Sequence, residues 1–179
     1  MSVLPDVLES GLHAAFCGTG AGKKSGLMGH YYAGPGNRFW SVLRQTGLTE
    51  SLIEPAHFRL ILRSRLGLTD LSKTTSGSDK VIQAGDFDVE SFRAKIREYR
   101  PGVVAFNGKK AVLVALNRNE INFGPQRGVD LHGAAVWVLP STSGAANGSW
   151  DPIYWQALAE AVRALRPHSR GAPSAMPSL

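Results

Sequence analysis

Four short stretches carry residue types that could bind or cut a polar ligand: Gly18-Thr-Gly-Ala-Gly22, His30-Tyr-Tyr-Ala-Gly-Pro-Gly-Asn-Arg-Phe-Trp40, Asn107-Gly-Lys109 and Pro140-Ser-Thr-Ser-Gly144. In the second, Tyr32 is an aromatic face held by the Pro35-Gly36 turn and the helix start at Asn37-Arg38, an arrangement suited to a flat polar ring. A buried aromatic patch ahead of a helix is the plainer reading of that run. Asn107 offers an amide that both donates and accepts. Ser141 and Ser143, with the backbone amides around Gly144, suit phosphate oxygens, a contact that positions a nucleic acid without reading its bases. A serine-rich turn capping the helix near Asp151 is the plainer alternative there.

Other chemistries fail on the spacing. The phosphate-loop pattern G-x-x-x-x-G-K-[ST], registered on Gly22-Lys23, puts Cys17 in place of its first glycine and Lys24 in place of its hydroxyl. No strand ending in Asp stands out to hold the metal such a loop needs. G-x-G-x-x-G fails because Lys23 falls on its third glycine, and the nucleophile pattern G-x-S-x-G is absent. His132 is out of place as a base for the serines. The five histidines, His13, His30, His57, His132 and His168, form no pair at metal-binding spacing on one helix. Cys17 is the single cysteine, so a disulfide within the chain and a four-thiolate cluster are excluded. No metal and no cofactor is expected.

Those loops need elements to hold them. An apolar run over residues 12–17 predicts a buried first strand ending at Gly18, followed by a loop as far as Gly36. Asn37 then caps a helix to about residue 45, with Phe39, Trp40 and Leu43 inward. Pro55 opens a second helix over 55–65, and 67–71 is a short extended segment. Residues 73–85 are polar and lack either period, which predicts a loop. Phe92, Ile96 and Tyr99 are spaced for a helix over 89–99, ended by Pro101. Residues 102–106 and 134–139 are continuous apolar runs, as expected of strands covered on both faces. Helices follow them over 109–116 and 152–165. Strands alternating with helices predict an α/β fold, a three-layer αβα sandwich around a central, mostly parallel sheet of four to five strands. Ligands bind such sheets beyond the carboxyl ends of the strands, so the glycine-rich loops should meet at one site. One domain over 1–166 and a disordered tail over 167–179 complete the layout.

With 20 Lys and Arg against 14 Asp and Glu, the net charge is +6, which favours an anionic partner such as nucleic acid. The first residues lack the basic start and apolar core of a signal peptide, and no apolar run reaches membrane-spanning length. A cytoplasmic protein that does not engage membrane is expected.

The motifs, in order, resemble those of the mismatch-specific uracil and thymine DNA glycosylases, a branch of the uracil-DNA glycosylase superfamily. The resemblance runs from about residue 12 to 165. The run from His30 to Trp40 is similar to the family's signature after its first motif, Ala105-Phe-Asn-Gly-Lys109 to its middle strand end, and Leu139-Pro-Ser-Thr-Ser-Gly144 to its last motif, the loop that contacts DNA. The resemblance implies a uracil-DNA glycosylase-like fold and an enzyme that flips a nucleotide from DNA containing uracil or a mismatch and breaks its N-glycosidic bond. It implies that Tyr32 stacks on the base beside Gly18, that Asn107 reads the base edge, and that Ser141, Ser143, Gly144 and Ala145 meet DNA. Lys109, Lys23, Lys24 and Asn37 join that surface, and a monomer is the default.

Two departures mark this chain. The family's first motif is G-I-N-P-G, whose Asn positions the attacking water; Gly20 stands at that place here. In the last motif Ala145 and Ala146 replace the long side chain that fills the gap left by a flipped base. One reading keeps the enzyme: departure of the base leads, and the water is held by the backbone carbonyls of Thr19 or Gly20, the Thr19 hydroxyl, or His30. His30 could equally contact phosphate or pack within its loop. The other readings are a non-catalytic binder of uracil or mismatched DNA, and a pocket opened by Gly20 to another deaminated base.

Overall fold

The computed structural model describes residues 2–165; the tail expected at 167–179 lies outside the described residues. Five strands form the sheet: β1 Ala14–Gly18, β2 Leu66–Asp70, β3 Val103–Asn107, β4 Gly124–Leu131 and β5 Ala134–Leu139, in the order β2-β1-β3-β5-β4. β1 pairs in parallel with β2 and with β3, β3 pairs in parallel with β5, and β4 runs antiparallel at the edge. Every residue of β1 is buried, because a parallel strand with helices on both sides has no wet face.

Successive side chains of a strand point to opposite faces, and the apolar residues sort accordingly. Phe16, Ala105, Trp137 and Leu139 meet α2 (Phe39–Gln45) and α5 (Ile153–Leu165) through Phe39, Trp40, Trp155 and Leu158. Cys17, Val104, Phe106 and Val138 meet α3 (Val89–Tyr99) and α4 (Lys109–Leu116) through Phe92, Ile96 and Val112. Phe16 stacks on Trp155 with ring centres 5.7 Å apart and takes Phe39 edge-on at 5.3 Å. The result is the expected three-layer sandwich, with five strands.

Three local expectations are corrected. Residues 55–65 do not form an α-helix: Pro55–Ser64 is a 3-10 helix with non-helical geometry at His57. Its two buried residues, Phe58 and Ile61, are three apart, which matches the three-residue turn of that helix. The loop expected before Gly36 contains a short helix, α1 (Lys23–Met28), which buries only Ser25 and so carries no apolar period. β2 does end in an aspartate, Asp70, and that residue is buried. β4 lacked a sequence signal because it combines Pro125, two glycines and a bulge between Gln126 and Leu131, features tolerated at a sheet edge.

Candidate active site

In the parallel register Gly18 lies opposite Asp70, and Asn107 opposite Leu139. Four strand ends are therefore level along one edge, where open α/β sheets bind ligands.

Asn107 is oriented by Thr142. A backbone amide only donates, so Asn107 Oδ1 accepts from the Thr142 amide at 3.0 Å, and Asn107 Nδ2 donates to Thr142 Oγ1 at 2.9 Å. One amide hydrogen and one lone pair of Asn107 remain for a ligand. Thr142 is wholly buried, and its carbonyl accepts the Arg38 amide at 2.9 Å. Gly144 packs backbone to backbone against the Pro35-Gly36 turn, where an added Cβ would come within 3.1 Å of the Pro35 carbonyl oxygen. The aromatic run and the Ser-rich loop are thus one structure.

Tyr32 has a left-handed backbone, φ 53°, which costs a non-glycine residue on the order of 1 kcal/mol. Its ring stacks on Phe39 at 3.9 Å, which helps offset that cost and fixes its orientation. The hydroxyl is buried without a hydrogen-bond partner. Burial first, then the Asp70 carboxyl, raises the phenol well above its ordinary range, while Asn107, close but outside hydrogen-bonding geometry, works the other way.

Asp70 lies beneath the same hydroxyl. A Cβ on Gly18 would stand 2.7 Å from Asp70 Oδ1 and 3.7 Å from Tyr32 Oη, so the missing side chain at position 18 is what gives the carboxyl room. Burial pushes the Asp70 carboxyl up to about 7; Lys73 and the Gly18 amide pull it down and Asp6 pushes it up. Lys73 is itself engaged elsewhere, 2.8 Å from Asp6 and 3.1 Å from Tyr31 Oη.

Around Gly20 the space is partly taken. A Cβ there would meet Ile82 Cδ1 at 2.8 Å and Ser72 Cβ at 3.3 Å, and Ser72 Oγ is buried without a partner. The Thr19 hydroxyl donates to Asp79 Oδ1 at 2.7 Å, and its carbonyl accepts the Ser72 amide at 2.7 Å. His30 sits against Phe58, ring centres 6.4 Å apart, and lines a recess with His57 and Leu60; its Nδ1 is buried without a hydrogen-bond partner. Lys23 and Lys24 are exposed on α1. Lys109 is exposed with its ammonium 4.6 Å over the Phe123 ring, whereas Lys110 reaches the carbonyls of Asp79 and Ile82. The N-cap of α2 is Arg38 rather than the expected Asn37, and no side chain caps it; Asn37, one residue earlier, accepts the Phe39 amide on its Oδ1 at 3.0 Å. Ser141 Oγ accepts the Ser143 amide and Ser143 Oγ the amide of the exposed Ala145.

The strand edge thus gathers Gly18, Tyr32, Asn107 and the 141–145 loop. Two residues, Asp70 and Thr142, were not singled out from sequence; Arg38, from the Asn37-Arg38 helix start, has its guanidinium 5.1 Å over the Trp150 ring. A polar residue closing an apolar run was the available signal for Asp70. Among the described residues no group of three or more His, Cys, Asp or Glu could hold a metal ion, and no helix is long and apolar enough to cross a membrane.

A rigid aromatic, a fixed amide and a polar turn stand together at the carboxyl edge of a mostly parallel α/β sheet. The family model of the uracil DNA glycosylase superfamily matches residues 5–165, and the chain belongs to that superfamily. It is also similar to the solution NMR structure of a protein from Methanosarcina acetivorans that carries a provisional uracil DNA glycosylase designation, with a TM-score of 0.62 and 22% identity over 89% of this chain and 96% of that one. At that identity the likeness establishes a shared fold.

Proposed function

We propose that the chain is a monofunctional uracil-DNA glycosylase of the mismatch-specific branch, acting as a cytoplasmic monomer in base excision repair. The observation that carries this reading is the convergence of Tyr32, Asn107 and the 141–145 loop on one strand edge. Uracil flipped from the duplex would stack on Tyr32 above Gly18 and meet the free donor and acceptor of Asn107. Flipping costs a few kcal/mol, least at a mismatch. Ser141, Ser143, Gly144, Ala145, Asn37, Lys23, Lys24 and Lys109 would meet the strand and its phosphates, and no metal or cofactor is needed.

Cleavage leaves an oxocarbenium-like sugar and a base anion, so donors around the base lower the barrier. Loss of a positioned general base costs roughly 10²–10⁴-fold, which slows such an enzyme without abolishing it. Uracil, the better leaving group, is then removed and thymine poorly so. Gly20, packed against Ile82, favours a second reading, in which the pocket is kept as a binder of uracil or mismatched DNA and the chemistry is lost.

End-labelled oligonucleotides carrying one uracil, single-stranded or opposite G or A, with a G·T duplex and strands carrying one deaminated purine beside them, separate the readings. Strand breaks after hot alkali on the uracil strands are the expected result. Retardation on a gel without breaks would favour the binder, and breaks confined to strands with a deaminated purine would move the substrate.

A further inference from the structure

Asp70 closes β2 beneath the Tyr32 hydroxyl, and no ion pair among the described residues reaches it. Its surroundings are those of a place built for a polar guest: the Tyr32 hydroxyl and, two residues along from Asp70, the Ser72 hydroxyl are both buried without partners. We propose that Asp70 is the general acid of this site, donating its proton to the base as the glycosidic bond breaks. The proposal rests on the glycosylase reading above. It supplies what Gly20 does not, because easier departure of the base lessens the need for an oriented water.

The step balances as follows. The C1′–N bond breaks with its electron pair going to the base, and the Asp70 O–H proton passes to that base. Water then adds its oxygen to C1′, and the proton it sheds restores the carboxyl. A carboxyl kept neutral by its surroundings so that it can donate to developing negative charge is an established device.

The charged and titratable groups facing Asp70 come from every neighbouring element: Asp6 from the N-terminal segment, Cys17 from β1, Tyr31 and Tyr32 from the aromatic run, Lys73 beyond β2, and Lys95 from α3. Cys17 and both tyrosines are held neutral, chiefly by burial. Lys73 and Lys95 are paired with Asp6 at 2.8 and 2.7 Å. Burial therefore dominates, and the carboxyl holds its proton to about 7. The opposite role, a carboxylate base on water, fits the geometry less well, because the space at Gly20 is bounded by Ile82 and Ser72 rather than by Asp70.

Single-turnover release of base from a uracil-containing oligonucleotide by the whole chain, followed on both sides of neutrality, tests the proposal. The expected rate is highest at acid pH and falls as pH rises past about 7. Asp70→Asn keeps a donor but no transferable proton; it is expected to be slowed about tenfold and to lose that fall, while Asp70→Ala loses about 10²–10³-fold. A rate that instead rises through neutrality and vanishes in Asp70→Asn would make Asp70 a base and overturn the proposal. So would rates that neither substitution changes. Release of no base at any pH would overturn this proposal together with the glycosylase reading, whereas an unexpected pH profile overturns this one alone.

Discussion

Asp6 and Asp70 are neighbours with opposite fates. Burial would raise Asp6, but hydrogen bonds from Lys73, Lys95 and Thr69 outweigh it and hold that carboxyl below its ordinary value. On Asp70 burial outweighs the opposing pull of Lys73, the Gly18 amide and Lys95, and lifts it from 3.8 to about 7. The folded chain therefore binds the Asp70 proton more tightly than the unfolded chain, and between those two values this residue makes stability fall as pH rises. Asp70→Asn carries no charge to desolvate, so it should be more stable than the parent above neutrality, by roughly 1–3 kcal/mol. The difference should close toward the acid end of that window. Paired thermal melts at the two ends check this. A variant less stable than the parent at the alkaline end would show that the carboxylate is itself stabilising.

At the scale of elements, the contact between two turns sets the site. The Pro35-Gly36 turn and the 141–145 loop touch through backbone at Gly144, where an added Cβ would crowd the Pro35 carbonyl oxygen at 3.1 Å. Gly144→Val should push the turns apart, disturb the Thr142–Asn107 pair and cut glycosylase activity about 10²-fold, since misplacement of about 1 Å costs that much. Gly148→Ala, in the same 3-10 segment with nothing within 4 Å, should be close to neutral; equal losses in both would refute the contact's role. Apart from β4, the strands and long helices were legible because their apolar residues form continuous runs, as in 103–106, or recur at the helix period, as at Phe92 and Ile96. Pro55 announced the helix at 55–64 but not its 3-10 type, and α1 was not legible, because one buried serine leaves no period to read.

Across the whole molecule, the parallel sheet brings four loops, distant in sequence, to one edge, and leaves the +6 charge to favour an anionic strand. Tyr32, Asn107 and the serine loop were visible in the sequence because each sits in a compact run of glycine and polar residues. Asp70 and Thr142 were not, since their importance comes from partners distant in sequence: Gly18 and Tyr32 for one, Asn107 and Arg38 for the other. The proposed function requires this edge to break an N-glycosidic bond although Gly20 offers no side chain to water. The most direct test is to measure free uracil, by mass, released from a uracil-containing strand by the intact chain. Free uracil in amounts equal to the alkali-labile sites formed, with the strand unbroken before alkali, is the predicted result. DNA bound in full with no free uracil would contradict it.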